Sequence, residues 1–184
     1  SAYEIRPAGR HILTIGEELI QDQYAAIVEL VKNCYDADSD YAKIVFKKCS
    51  DEDCLEIRIE DNGHGMSPDD VINKWLVPST ADKLRKKQSP SGRTLQGRKG
   101  IGRYAASILG DDLRLDTVDK KGNETSIYVK WEDLVKFEHL DQIKIPMDTD
   151  TTYSPSGTKL IVFIKLSIES STLSRLSSSP IARP

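Results

Sequence analysis

A chain of 184 residues with 38% hydrophobic and 30% charged side chains has a globular composition, sufficient for one ordinary domain with a real core and too short for two. A net charge of −3 excludes a global pull toward nucleic acid, so any such role rests on a local patch. No apolar run approaches bilayer-spanning length and no charged-then-apolar leader opens the sequence, so no membrane partner is expected. Cys34, Cys49 and Cys54, odd in number and lacking a zinc-type pair, predict reduced thiols in a cytoplasmic protein.

In chain order, Ile27, Leu30, Val31 and Cys34 recur at three-and-four spacing and predict a helix over residues 17–35. Glu29, Asn33 and Asp36 fall on one side of it, roughly opposite the apolar stripe. An acid and an amide one turn apart suit a metal-bound nucleotide. The amide oxygen is a hard ligand, and the carboxylate can take a proton from an attacking water. A solvated face of an amphipathic helix explains the same stripe.

Strands are expected at Ala42–Lys48 and Cys54–Asp61. In the second, Leu55, Ile57, Ile59 and Asp61 share parity, so Asp61 points toward the core, where a carboxylate is costly without a partner. Asn62-Gly63-His64-Gly65-Met66 follows. Its glycines let the backbone approach a flat ring, and Met66 offers that ring a soft contact. A plain Asp-Asn-Gly turn explains the first glycine but neither the second nor the inward carboxylate.

Ser67-Pro68 predicts a short helix reaching about Trp75. Residues 76–97, rich in Pro, Ser, Thr, Lys and Arg, read as a long mobile loop. Gly97-Arg-Lys-Gly100-Ile101-Gly102 then opens a small-residue helix ending near Leu109. Its glycines and free N–H groups make a phosphate cradle, and Lys99 adds positive charge. Neither the dinucleotide nor the P-loop fingerprint is present. Further strands are expected at Asp112–Val118, Thr125–Trp131, Gln142–Ile145 and Thr158–Lys165. The expected fold is α+β: a two-layer sandwich with a mixed, mostly antiparallel sheet and helices on one face.

Taken jointly, these islands resemble the gyrase, heat-shock chaperone, histidine-kinase and mismatch-repair ATPase superfamily, whose nucleotide domain is the Bergerat fold. The resemblance runs from about residue 17 to 165, and the segment around Asn33 is nearer the chaperone-like and MORC-like branches. It implies ATP and Mg2+ as cofactors. Glu29 would be the general base and Asn33 the metal ligand, while Asp36 and Ala37 would line the site near adenine and sugar. Asp61 would accept the adenine amino group, with Thr158 helping through a water. Gly63, Gly65 and Met66 would bound the adenine pocket. Gly97, Lys99, Gly100, Ile101 and Gly102 would hold the phosphates. Thr80 and Lys83 match the family's lid more loosely.

On this reading residues 1–166 are the ATP-binding domain, with a lid at about 76–100, and 167–184 are a Ser-rich tail or truncated linker. The opening Ser1-Ala2 and that tail read as the ends of a domain cut from a longer protein. The implied function is an Mg-dependent nucleotide switch, with a nucleotide-dependent homodimer and downstream domains as partners. A histidine-kinase catalytic domain is the alternative, although His11, His64 and His139 lie in no acceptor motif. A DNA-binding module is another, since Lys83, Arg85, Lys86, Lys87, Arg93, Arg98, Lys99 and Arg103 cluster within 21 residues. No aromatic residue interrupts that cluster to stack on single strands.

Overall fold

A computed structural model describes residues 7–20, 22–50, 53–77, 87–97 and 104–166. Helix α1 (His11–Leu19) is followed by α2 (Gln23–Asp36), two helices where the sequence predicted one over 17–35. The break has a local cause. Asp22 is extended, and its side chain accepts the Ala25 N–H at 2.8 Å, so it starts a new helix rather than continuing the first.

The sheet has six strands: β1 (Ala42–Lys48), β2 (Cys54–Asp61), β3 (Asp112–Val118), β4 (Asn123–Lys130), β5 (Met147–Thr151) and β6 (Gly157–Lys165). They lie in the order β1-β2-β6-β3-β4-β5, antiparallel at each pairing. Between β2 and β3 come α3 (Pro68–Asp70), continued by a π-helical turn at Val71–Trp75, and α4 (Ala105–Leu109). Ser67 and Asp70 form a capping box around Pro68, fixing where α3 begins. Helix α5 (Trp131–Val135) follows β4.

The expected strand at Gln142–Ile145 does not form. A 3₁₀ turn occupies Leu140–Gln142, and Ile143 and Ile145 pack against the core without pairing. Pro146 cannot donate to a ladder, so pairing begins only at Met147. The thiol expectation is also corrected: Cys49 and Cys54 form a disulfide across the β1–β2 turn, leaving Cys34 free and buried.

The register sorts the covered face into rows. Ile57, Val162, Leu113 and Val129 form one row, and Ile59, Leu160, Leu115 and Ile127 the next. Leu113 and Val162 are fully buried, and against these rows pack Ala26, Leu30 and Cys34 of α2 with Ala105, Ala106 and Leu109 of α4. Leu55, expected in this face, is 40% exposed at the far end of its strand. The third row changes chemistry: Asp61, Thr158, Thr117 and Thr125 stand side by side across four strands. The opposite face carries paired charges, Arg58 with Glu56 at 2.6 Å and Arg114 with Asp116 at 2.9 Å, which keep it compatible with water.

Candidate functional site

The polar row places Asp61 directly across from Thr158 in the β2–β6 register. Asp61 Oδ1 accepts the Gly63 N–H at 2.8 Å, which folds the chain back after the strand. Burial raises the Asp61 pKa above the usual carboxylate range, against the opposing pull of the Gly63 N–H and the neighbouring Cys34 thiol. Burial first, and Asp61 beside it second, push Cys34 up to about 12, so this thiol stays protonated.

The glycines after Asp61 are used for close packing. A Cβ on Gly63 would lie 2.5 Å from the Ala37 carbonyl oxygen, and the adjacent His64 N–H donates to that oxygen at 2.9 Å. Gly65 is left-handed at φ 63°, and a Cβ there would lie 1.8 Å from the Val118 carbonyl oxygen. Met66 N–H then donates to Thr117 Oγ1 at 3.0 Å. The glycine segment is thus pinned to the end of α2 on one side and to the end of β3 on the other.

Asp36 is buried at the last position of α2, and its carboxylate accepts the N–H groups of Gln96 (2.7 Å) and Gly97 (3.0 Å). It therefore borders the buried face rather than opposing it, and it ties α2 to the start of the second glycine segment. The Gly97 amide, expected among the phosphate donors, is engaged in this bond. Glu29 pairs with Lys32 at 2.6 Å, a partner the sequence pattern did not reveal. Asn33 is half-buried on the turn between Glu29 and Asp36.

Part of the expected mobile loop is docked. Residues 87–97 fold into a tight turn in which Ser89 N–H donates to Arg93 O at 2.8 Å. Asp38, left-handed at φ 61°, accepts the hydroxyls of Ser89 and Ser91 and the Ser91 N–H. Desolvation opposes ionisation of Asp38, yet these donors outweigh it and hold its pKa down at about 2. Arg93 stacks over the Tyr35 ring at 5.2 Å and donates to Ser39 O at 2.6 Å. One member of the basic cluster is therefore committed inside the protein.

Lys99, Gly100, Ile101 and Gly102, with Thr80 and Lys83, lie outside the described residues. Those that are described form one contact chain: Gly97 to Asp36, Ala37 to Gly63, Gly63 to Asp61, Asp61 to Thr158, and Thr158 through Thr117 to Met66. Thr117 in this chain, and Asp38 under the docked 87–97 turn, are the residues that sequence reasoning missed. Thr117 had a signal, since like Asp61 it is a polar residue ending an apolar alternation of its own parity.

Residues 22–158 match the family described as histidine kinase-, DNA gyrase B- and HSP90-like ATPase. The chain is 32% identical over 114 residues to the DNA mismatch repair protein MutL of Lacticaseibacillus paracasei, covering 61% of this chain and 17% of that protein. It is 31% identical over 128 residues to ATPase MORC2B of Mus musculus, covering 68% of this chain and 12% of that protein. A third relative, 32% identical over 102 residues, is the putative type II restriction enzyme HgiDII of Herpetosiphon aurantiacus, with 55% of this chain and 16% of that protein covered. The chain thus spans less than a fifth of these curated relatives.

Proposed function

The chain belongs to the histidine kinase-, DNA gyrase B- and HSP90-like ATPase family, and from that premise we propose that it is a magnesium-dependent ATP-binding and ATP-hydrolysing domain serving as the nucleotide switch of a larger protein. The observation that carries the site assignment is Asp61, a half-buried carboxylate in the polar row that ends the aliphatic face, with Thr158 beside it. An ionised carboxylate only accepts hydrogen bonds, and it is held here by few internal donors. The exocyclic amino group of adenine is a ligand that satisfies it.

Asn33 would hold Mg2+ through its amide oxygen. Among the described residues no group of three His, Cys, Asp or Glu could cage an ion, so its other ligands would come from phosphate and water. The ion, when bound, supplies charge neutralisation of the triphosphate. Glu29, one turn before Asn33 on α2, is the proposed proton acceptor for the attacking water, and Lys32 orients its carboxylate. Asp36 holds residues 96–97 against α2, and the segment 97–102 is proposed to meet the phosphates. Residues 1–166 are proposed as the domain, with the lid at about 76–100. A nucleotide-dependent homodimer and further domains of a longer chain are its proposed partners.

Calorimetry with ATP, ADP and GTP, each with and without magnesium, tests this directly. ATP binding is expected to need Asp61, so Asp61→Asn abolishes it, whereas Glu29→Ala keeps binding and loses turnover. Undiminished ATP binding by Asp61→Asn would sink the site assignment. Full turnover by Glu29→Ala would remove Glu29 as the proton acceptor, and ATP binding with no turnover in the wild type would favour a kinase-type domain.

A further inference from the structure

Thr117 makes more polar contacts than its place in an apolar strand requires. It is 1% exposed, and its one hydroxyl meets three groups: Met66 N–H at 3.0 Å, Gly157 O at 3.1 Å and Thr158 Oγ1 at 3.1 Å. A threonine hydroxyl has one proton to give and two lone pairs to offer. Gly157 O can only accept, so it takes the proton. Met66 N–H can only donate, so it takes one lone pair. Thr158 is left with a single compatible role, donating its own proton into the second lone pair.

We infer that Thr117 is a specificity-setting positioning residue: it turns the Thr158 hydroxyl proton inward and so leaves the nucleotide pocket lined by acceptors at the Asp61–Thr158 edge. The inference rests on the adenine assignment proposed above. With its proton committed, Thr158 offers the pocket only lone pairs, and ionised Asp61 across the β2–β6 register offers the same. A purine bearing an amino group at its six-position finds partners along that edge. A purine bearing a carbonyl there meets acceptor against acceptor, and half-buried acceptors that the ring would cover reject it. Thr117 achieves this without touching the ligand. The same hydroxyl also fixes the Gly65–Met66 arm, so the two walls of the pocket are set by one atom.

The test compares Thr117→Val, of similar shape but lacking the hydroxyl, with Thr117→Ser, which keeps it. Binding of ATP and GTP is measured by calorimetry on the wild type and both variants. Thr117→Val is expected to narrow the ATP-over-GTP preference by about tenfold, since Thr158 can then swing its proton outward and donate to a carbonyl. Thr117→Ser is expected to restore the wild-type ratio within about threefold. A Val variant that binds both nucleotides more weakly with an unchanged ratio would show a merely structural role and overturn the inference.

A second readout needs no nucleotide. In the free protein, the Thr158 hydroxyl proton observed by NMR is expected to be slow to exchange in the wild type and Thr117→Ser, and fast in Thr117→Val. Equal exchange in all three overturns the proton assignment even if ATP binds. Slow exchange in a wild type that binds no ATP leaves the proton assignment standing and rejects the adenine reading instead.

Discussion

Two left-handed glycines allow the cost of conformation to be separated from the cost of contact. Gly92 has φ 89° and nothing within 4 Å of a Cβ built on it, whereas Gly65 has φ 63° and would place its Cβ 1.8 Å from Val118 O and 2.6 Å from Val118 C. Gly92→Ala therefore carries only the left-handed penalty of an L-residue, about 1–2 kcal/mol. Gly65→Ala carries the same penalty and must also push the loop off β3. That breaks the Met66 N–H to Thr117 bond and strands buried polar groups, a further cost of about 1–3 kcal/mol. For a chain of this length, 1 kcal/mol moves the midpoint by about 2–4 °C. Thermal unfolding followed by circular dichroism should show a drop of about 2–8 °C for Gly92→Ala and roughly twice that for Gly65→Ala. ATP titration of the folded variants should show affinity lost only at Gly65. Equal melting shifts, or intact ATP affinity in Gly65→Ala, would refute the view that this glycine docks the adenine arm on β3.

Burial raises the pKa of Asp61, so the folded protein holds that proton to higher pH than the unfolded chain does. The contribution of this group to stability is full below the ordinary carboxylate pKa and is lost as pH rises through the raised value. Under the proposed assignment ATP binding needs the ionised form and should run the opposite way, strengthening over the same interval. Calorimetry between about pH 4 and pH 8 should show this rise in the wild type; a pH-independent affinity there would count against Asp61 as the adenine acceptor. Reducing the Cys49–Cys54 disulfide, whose partners are 5 residues apart, should cost about 2 kcal/mol by loop-closure entropy. Melts with and without reductant, with alkylation to prove reduction, should differ by about 4–8 °C, and coincident melts would show that the link adds no stability.

Much of the architecture was legible because it is periodic. Ala42–Lys48 and Cys54–Asp61 appear as strands at their expected bounds, and the inward parity of Asp61 survives in its burial. What escaped was set by distant or singular events. The juxtaposition of Asp61 with Thr158 came only from the family resemblance, because it depends on pairing two strands far apart in sequence and no local pattern specifies that register. Asp38 could not be anticipated as an acceptor, because its donors Ser89 and Ser91 sit in a stretch whose composition reads as an unstructured loop. The strand expected at Gln142–Ile145 is absent because Pro146 has no N–H to give a ladder there, and pairing starts only at Met147.

The end of α2 has an electrostatic consequence. A helix terminates in unsatisfied carbonyls, a partial negative charge that favours cations nearby. Here the last turn has no basic residue, and Asp36, Asp38 and Asp40 follow one another at and beyond that end. The docked 87–97 segment answers them with amide N–H groups, hydroxyls and the Arg93 guanidinium. A triphosphate brought to the same region under the proposed assignment would meet a helix pole and carboxylates of its own sign. It would be drawn in only with positive charge interposed, so the proposed dependence on a divalent cation would be a property of the helix's polarity as much as of any single ligand.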